Sequence, residues 1–497
     1  MKFVHLHSNT KTIMKKTKIV ATISDFRCET EFLRKLFFAG MNVVRINTAH
    51  AGEESIRKIV TNVRQVSPHI AIMLDTKGPE VRTTFTPEPI AFKLGERVVI
   101  SGDPDVNTSH EEIHLSYRDI AKNVKVGDEL LFDDGEIDLK IIENNGVTLI
   151  GEVQNDGMLG SRKSVNAPGE HIDLPAVTER DRQNILLAIE LDIDFIAHSF
   201  VRSAADVGEV QKILDEHNSQ IKIISKIENQ EGVDNIDEIL DVSYGIMIAR
   251  GDLGIEVPQE KIPGIQRQLI RQCVERKKPV IVATQMLHSM IKYPRPTRAE
   301  VTDIANAIYS NTDALMLSGE TANGKYPLEA VQTMARIAEQ AEQDRLEQFG
   351  FERPLPKNCS QKEFLAHSAI EATRRLGVAG IIADSETGEI VRMLAAFRGP
   401  TPILAICYRE KTHRLLNLSY GVIPIYQHKH LSSAHIFMAA LRMLKQKGYV
   451  TMNDKIAYLS GNLGLEAGTT FLEINPVKKV FENIDIFHLP YAEHRVE

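Results

Sequence analysis

Short apolar runs alternate with amphipathic stretches from residue 18 to about residue 343. Eight runs have the length and the Val, Ile, Leu, Met and Ala content of buried strands: residues 18–23, 42–47, 70–75, 194–200, 221–226, 244–250, 279–284 and 313–318. The stretches between them place apolar residues at helical spacing, as in residues 30–40, 55–66, 205–217 and 262–278. Strands that are apolar on both faces and separated by helices are typical of a parallel sheet.

Eight such units favour a closed (β/α)8 TIM barrel over an open, doubly wound α/β sheet. An open sheet would carry a glycine-rich phosphate turn after its first strand, and the segment there reads SDFRCET.

The alternation is interrupted once, by roughly ninety residues without helical periodicity, too long for an ordinary loop. This segment alternates apolar and polar positions between Asp-Gly and Asn-Gly turns, which predicts a small inserted β-barrel domain. It follows the third strand, on the barrel face where active sites form, so we expect it to act as a lid. A further α/β pattern begins near residue 355. The expected domains are an arm at 1–16, a barrel at 17–78 and 174–345, a lid at 79–173 and an α/β domain at 346–497.

Polar residues collect where the barrel strands end. They are Arg45, Asn47, Asp75, Thr76, Lys226, Glu228, Arg250, Asp252, Thr284, Ser318 and Glu320. Lys226 and Glu228 are two residues apart, so both side chains leave the strand on the same side. A single polar residue at a strand end, such as Ser24 or Ser199, is interpreted as a helix N-cap. Convergence from six strands instead indicates a functional site.

Composition narrows the function further. The chain has 497 residues, a formal net charge of −8 and no long Lys/Arg block, which argues against a nucleic-acid partner. Its four cysteines show no CxxC spacing, as expected for free thiols in a reducing cytoplasm. The segment before Lys18 has no apolar stretch long enough for a signal peptide or a membrane span, so we expect a cytoplasmic protein without a membrane partner.

The strand-end residues favour one kind of chemistry. Glu228 and Asp252 are hard oxygen ligands on adjacent strands, suited to Mg²⁺ or Mn²⁺ with phosphate completing the shell. Arg45 and Lys226 provide positive charge for an anionic substrate. The segment RGDLG leads into a helix whose amides could hold a carboxylate. The residues alone therefore indicate phosphoenolpyruvate-like chemistry.

Seven stretches resemble the pyruvate kinase family: MNVVRIN, LDTKGPEVRT, DLPAVTERD, SKIENQEG, MIARGDLGIE, ATQMLHSM and MLSGETANGKYP. In this order and spacing they are highly specific, and the resemblance covers nearly the whole chain after residue 17. It implies a barrel, a lid and a C-terminal α/β regulatory domain in a homotetramer. It also implies phosphoryl transfer from phosphoenolpyruvate to ADP, giving pyruvate and ATP.

The resemblance implies roles residue by residue. Lys226 matches the lysine that neutralises the enolate oxygen, and Arg45 the arginine on the transferred phosphoryl group. Glu228 and Asp252 match the divalent-metal ligands, and Thr284 with the Gly251 and Asp252 amides matches the grip on the substrate carboxylate. Arg82 and His50 resemble nucleotide-side residues. Ser318 and Glu320 are candidates for a proton relay, with an N-cap role as the alternative for Ser318.

The monovalent-cation site departs from the family pattern. Asn47, Asp75 and Thr76 match K⁺ ligands, but Ala49 stands where the family has a serine hydroxyl. Glu80 matches the form of the family that needs K⁺. We therefore expect K⁺ dependence, with water replacing the missing hydroxyl.

Two further expectations concern regulation and rival functions. Glu386 and Glu389 in SETGEI stand where responsive relatives have basic residues, and SGNLGLEAGTT has no arginine, so activation by fructose 1,6-bisphosphate is not expected. The rival functions are another Mg²⁺-dependent barrel enzyme on pyruvate or phosphoenolpyruvate, such as a lyase or aldolase, and a non-enzymatic sensor.

Overall fold

The computed structural model describes residues 15–349, 355–428, 433–461 and 468–485. Of the expected arm, only Lys15 and Lys16 fall within these ranges, and the loop SGNLGLEAGTT lies mostly outside them. Among the described residues, no helix is long and apolar enough to cross a membrane. The four cysteines are free thiols.

Eight parallel strands form a closed barrel in which each strand pairs with its neighbours in sequence and the eighth pairs with the first. We call them barrel strands 1 to 8, and their bounds are Lys18–Thr22, Val43–Asn47, Ala71–Asp75, Phe195–His198, Lys222–Ile227, Gly245–Ala249, Val280–Ala283 and Ala314–Leu317. The predicted TIM barrel is confirmed, and the open-sheet alternative is wrong.

Helices surround the barrel and bury one face against it. The α-helices are Thr30–Ala39, Glu53–Val66, Glu179–Glu190, Ala204–Glu216, Gln230–Asp234, Ile236–Val242, Arg250–Glu256, Ile262–Glu275, Arg298–Tyr309, Gly319–Ala322 and Pro327–Phe349. Three 3-10 turns accompany them: Asp25–Arg27, Gln259–Lys261 and His288–Ile291. The barrel interior is filled by a separate apolar cluster that includes Val20, Met73, Phe195, Ile224 and Met247. The barrel is therefore a packed core rather than a pore, and its chemistry must lie at its ends.

The insert after strand 3 folds as a small β domain with its own apolar core. Its strands are Val81–Arg82, Ile90–Phe92, Arg97–Ser101, Glu112–His114, Glu129–Phe132, Ile137–Asn144, Thr148–Val153, Gly157–Leu159 and Ser164–Asn166, with one short helix at Ile120–Asn123. Seven of these strands form one sheet, and a bridge between Thr83 and Leu115 joins its two edges. Gly135 and Gly146 adopt positive φ angles at the Asp-Gly and Asn-Gly turns, where residues other than glycine are strained.

The C-terminal domain is a five-stranded α/β sheet. Its strands, in spatial order, are Val422–Tyr426, Ile403–Cys407, Val378–Ser385, Lys455–Ser460 and Phe471–Pro476, the last of them antiparallel. Its helices are Gln361–Arg375, Glu389–Ala396, Glu410–Leu416, Ser433–Gln446 and Val477–Asp485. Buried ion pairs tie this domain to the barrel: Arg398 to Asp313 at 2.7 Å and Arg414 to Asp194 at 2.6 Å.

Candidate active site

Asp75 lies between two cations at the carboxyl end of the barrel. The strand register places Asn47 opposite Asp75 and Thr22 opposite Arg45, which brings three strand ends together. Arg45 Nε donates to Asp75 Oδ2 at 2.5 Å, and Lys226 Nζ lies 3.1 Å from Asp75 Oδ1. Burial raises the pKa of Asp75, but the charges of Arg45 and Lys226 outweigh it and hold that pKa below its usual value. Asp75 is therefore a fixed anion that positions both cations.

Glu228 and Lys226 form the buried pair that the spacing predicted. Lys226 Nζ lies 2.9 Å from Glu228 Oε1, while Glu228 Oε2 accepts a hydrogen bond from the Phe200 amide at 2.7 Å. Burial lowers the pKa of Lys226, yet the carboxylates of Asp75 and Glu228 raise it above its ordinary value. The lysine is therefore charged at every physiological pH.

The carboxyl group of Glu228 is held in an environment that disfavours its charge. Burial raises its pKa to about 8, against the effect of Lys226, and the nearby charge of Asp252 adds to the rise. Oε1 of Glu228 accepts no hydrogen bond of good geometry from any residue that the structure describes. A buried carboxylate with a raised pKa and a second carboxylate nearby is suited to a divalent cation, which would neutralise both charges.

Ser199 corrects the sequence interpretation. Its hydroxyl accepts a hydrogen bond from Lys226 Nζ at 2.7 Å and donates to the Thr76 carbonyl at 2.7 Å, so it caps no helix. Ser24 does occupy the N-cap position of the 3-10 turn Asp25–Arg27, but its hydroxyl donates to the Ala322 carbonyl at 2.8 Å and makes no capping hydrogen bond. Ser199 positions the ammonium group of Lys226, a contact that sequence spacing did not reveal. The one available signal was its place at the end of strand 4, beside the two strands that carry Asp75 and Lys226.

Thr284 is held in a strained backbone conformation. Its φ is 69°, an outlier for a β-branched residue. Arg250 Nη2 donates to its carbonyl at 2.7 Å, and the Gly251 amide donates to its hydroxyl at 2.8 Å. Arg250 is itself fixed by Asp303 at 2.7 Å. These contacts bring Thr284 and Gly251 together at one point of the rim, as the sequence predicted, with Asp252 as the next residue.

The predicted K⁺ ligands lie at the same rim. Asp75 and Thr76 are almost fully buried, and the Oδ1 of Asn47 accepts a hydrogen bond from the Ala49 amide at 3.1 Å. The Ser199 hydroxyl donates to the Thr76 carbonyl at 2.7 Å, so it lies beside one of the predicted ligands. Their role as K⁺ ligands stays a prediction.

A cleft of about 370 Å³ separates the lid from the barrel next to Asp252. Arg82 lines this cleft and forms a salt bridge with Glu80 at 2.6 Å. This position is compatible with the predicted nucleotide-side role of Arg82, which stays a prediction. His50 is exposed and does not line the cleft. Lys163, which lies 2.8 Å from Asp133 on the lid side, was not identified from the sequence. Lid strands carry many charged residues, and pattern alone does not show which of them face the barrel.

The carboxylate of Glu320 accepts hydrogen bonds from two backbone amides. Its two carboxylate oxygens accept hydrogen bonds from the Leu287 amide at 3.0 Å and the Ser318 amide at 2.8 Å. Ser318 occupies the N-cap position of the short helix Gly319–Ala322, but its side chain makes no capping hydrogen bond. Glu320 therefore holds the turn that carries Ser318, and both remain candidates for proton transfer by position only.

The site thus combines a buried ammonium group, a guanidinium group and three carboxylates, next to a cleft under the inserted β domain. This arrangement can bind a phosphorylated anion together with a divalent cation.

Residues 14–331 match the model of the pyruvate kinase barrel domain, and residues 363–474 match that of the pyruvate kinase alpha/beta domain. The chain belongs to the pyruvate kinase family.

Similar proteins agree with this assignment. The chain is 45% identical to a pyruvate kinase from Borreliella burgdorferi, over 95% of this chain and 100% of that one. It is 42% identical to a pyruvate kinase from Bacillus licheniformis, over 92% and 80% of the two chains. Its structure is similar to that of a pyruvate kinase from Cryptosporidium parvum, with a TM-score of 0.87 and 36% identity over 93% of this chain and 96% of the other. These matches span the barrel, the lid and most of the C-terminal domain.

Proposed function

We propose that this chain is a phosphotransferase that moves the phosphoryl group of phosphoenolpyruvate to ADP, giving pyruvate and ATP. The observation that carries the proposal is the placement of Lys226. Its ammonium group is buried between Asp75 and Glu228 and is oriented by Ser199, so it is a fixed positive charge at the rim. Charge that develops on the bridging oxygen as phosphorus departs is best stabilised by such a fixed cation.

The other residues of the rim bind and orient the substrate. Arg45 is held by Asp75 and by the Thr22 hydroxyl at 3.0 Å, so its guanidinium is oriented for the phosphoryl group. Thr284 and the amides of Gly251 and Asp252 are assigned to the substrate carboxylate. Because these groups are held in place, a bound substrate would be oriented with its reacting atoms aligned.

A divalent cation, Mg²⁺ or Mn²⁺, fits the two carboxylates. Apart from the Lys226 ammonium group at 2.9 Å, Glu228 Oε1 has no polar partner among the described residues, so this buried oxygen could also coordinate a metal. No group of three or more His, Cys, Asp or Glu side chains in the described part of the chain is arranged for metal binding, so Glu228 and Asp252 would leave most positions to substrate and water. When bound, the cation would neutralise charge on the transferred phosphoryl group.

K⁺ is the proposed monovalent cofactor. Asn47, Asp75 and Thr76 offer side-chain and carbonyl oxygens, and the hydroxyl of Ser199 or a water molecule would stand in for the hydroxyl absent at Ala49. Residue 80 is a glutamate, in a salt bridge with Lys77 at 3.4 Å, so it does not supply the positive charge that a lysine at this position would provide. A monovalent cation would therefore supply the positive charge beside the phosphate.

The nucleotide is assigned to the cleft under the lid. Arg82 and Lys163 line it and are suited to the ADP phosphates, whereas His50 does not line the cleft and is assigned to the nucleotide from the family resemblance alone. The final proton is assigned to the region of Thr284, Ser318 and Glu320.

The proposed domain limits are those expected from the sequence, with a lid at 79–173, and a cytoplasmic homotetramer is proposed from the family resemblance.

A coupled assay for pyruvate tests the proposal. With phosphoenolpyruvate, ADP, Mg²⁺ and K⁺, we expect pyruvate and ATP to form in equal amounts. Omitting ADP must abolish pyruvate formation, since a lyase or aldolase would not need a nucleotide. Replacing K⁺ by Na⁺ should lower the rate. Pyruvate formation without ADP, or no turnover at all, would contradict the proposed reaction.

A further inference from the structure

A second cleft, of about 490 Å³, lies at the opposite end of the barrel from the catalytic rim. Lys222 begins strand 5 there, Tyr244 precedes strand 6, and Lys278 lies just before strand 7. The other wall is the helix Glu389–Ala396 of the C-terminal domain, which contributes Arg392. The cleft is therefore formed between two domains and shares no lining residue with the proposed reaction site.

The lining has an excess of positive charge that its own carboxylates do not neutralise. Five cationic and two acidic side chains line the cleft: Lys222, Arg276, Lys277, Lys278, Arg392, Asp241 and Glu389. Each acidic side chain is already engaged, Asp241 with Arg276 at 2.7 Å and Glu389 with Lys362 at 2.9 Å. Lys277 pairs with Glu363 at 2.9 Å. These pairs leave Lys222, Lys278 and Arg392 without a carboxylate in a salt bridge among the described residues.

The three remaining cations are held by neutral groups. Lys278 Nζ donates to the Ser243 carbonyl at 2.6 Å, and Arg392 donates to the Thr387 carbonyl at 3.1 Å while its guanidinium lies 5.1 Å from the centre of the Tyr244 ring. Lys222 has no hydrogen-bond or ion-pair partner in the described part of the chain, although it is half-buried.

The cations also act on one another. Burial lowers the pKa of Lys222, and the positive charges of Arg392 and Lys411 lower it further, against the smaller opposing effect of Asp215. Burial likewise lowers the pKa of Lys278, against the effect of Asp241, with Arg276 and Arg392 adding to the decrease. Half-buried cations that repel one another destabilise the unliganded cleft, and an anion between them would relieve that repulsion.

We propose that this cleft binds a small anion that carries a phosphate monoester. The phosphate would lie between Lys222, Lys278 and Arg392, because a dianion matches several cations better than a single carboxylate does. The rest of the ligand would lie along Tyr244 and Met393, which give the cleft an aromatic and apolar wall. Such a ligand would bridge the barrel and the C-terminal domain.

Pyridoxal 5′-phosphate is a direct probe of this site in the full-length protein. Its aldehyde condenses with an unprotonated lysine, releasing water, and borohydride then reduces the imine so that peptide mass spectrometry locates the label. At equimolar reagent we expect Lys222 or Lys278 to be labelled first. Labelling should be at least about tenfold faster than with pyridoxal, which lacks the phosphate. Inorganic phosphate should slow the reaction with the phosphorylated reagent only.

Variants separate phosphate binding from simple lysine reactivity. Arg392→Gln should slow both reagents, because the pKa of Lys222 and of Lys278 rises when the charge of Arg392 is removed, and it should also remove the difference between the two reagents. Lys212→Gln, an exposed lysine outside the cleft, is the matched control and should leave both rates unchanged. If Arg392→Gln does not fold, Lys278→Gln replaces it, with labelling followed at Lys222. Equal rates for the two reagents in the wild type, first labelling elsewhere, or a difference that survives the cleft variant would overturn the proposal.

Discussion

Replacing Lys226 by methionine removes one buried positive charge from the catalytic rim and keeps a side chain of similar length. The ammonium group contacts Asp75, Glu228 and Ser199 at 3.1, 2.9 and 2.7 Å. Its charge matters most where the bridging oxygen becomes an enolate, so the loss should appear in kcat far more than in KM.

The structure indicates the size of the effect. Arg45 still neutralises Asp75 at 2.5 Å in the variant, so the substrate phosphate keeps one oriented cation. The loss is then that of a single electrostatic stabiliser, about 2–4 kcal/mol of transition-state free energy. This corresponds to a decrease of about 30- to 1,000-fold in kcat. Glu228 loses its cationic neighbour, so Lys226→Met should not raise the Mg²⁺ concentration needed for half-maximal activity.

The control is Lys18→Met at the other end of the barrel. Lys18 is also buried, and its ammonium group donates to the Val422 carbonyl at 2.6 Å, so both variants lose a buried lysine. Breaking a buried ion pair costs about 3–5 kcal/mol of stability, and steady-state rates must be compared below the unfolding temperature of each variant. A Lys226→Met enzyme with near-normal kcat, or one whose loss lies wholly in KM, would refute the assigned role.

Three other predictions follow from the same geometry. Glu228→Gln and Asp252→Asn should each raise the Mg²⁺ concentration for half activity, and metal titrations that overlay the wild type would place the metal elsewhere. Because burial and the charge of Asp252 raise the pKa of Glu228 when no metal is bound, Mg²⁺ binding should release a proton near neutral pH, and Mg²⁺ affinity measured by calorimetry should therefore rise with pH. An affinity independent of pH would contradict this. Excising residues 84–170 with a short linker should leave a folded barrel that binds Mg²⁺ but transfers no phosphoryl group to ADP, because the lid holds the nucleotide and excludes water; retained kinase activity would contradict the lid assignment.

Regulation by fructose 1,6-bisphosphate is still expected to be absent, but the setting differs from the one that the sequence suggested. Glu389 does not stand alone, because Lys362 from the preceding helix lies 2.9 Å from it, and the pair neutralises one of the two repelling carboxylates. The negative charge at this turn is therefore smaller than the sequence suggested. A phosphoenolpyruvate saturation curve that shifts clearly to the left with the bisphosphate would show the prediction to be wrong.

The sequence predicted the barrel because buried parallel strands have a local signature. Each of the eight apolar runs coincides with a strand to within one residue or two at either end, and residues two apart in strand 5 do lie on one side of it. Ser199 shows where this reasoning ends. Its hydroxyl bonds Lys226, which is 27 residues away in sequence and on the neighbouring strand. Whether the Ser199 side chain contacts Lys226 or caps a helix depends on its rotamer. Tertiary packing determines that rotamer, and the pattern of residues along the sequence does not show it. Lys163 was missed for a similar reason, since the lid's position over the barrel determines which lid cations face the cleft.

The arrangement of charge along strand 5 follows from the strand's period of two. Lys222, Ile224 and Lys226 are spaced so that all three point to the same side, and Ile224 belongs to the apolar cluster that fills the barrel. On strand 3, Ala71 and Met73 belong to the same cluster, and Asp75 follows in the same alternation. The apolar layer thus separates two charged layers, one at the catalytic rim and one in the interdomain cleft. A register slip of one residue would move both lysines out of the barrel at once, so the packing that defines the core also fixes the position of the catalytic charge.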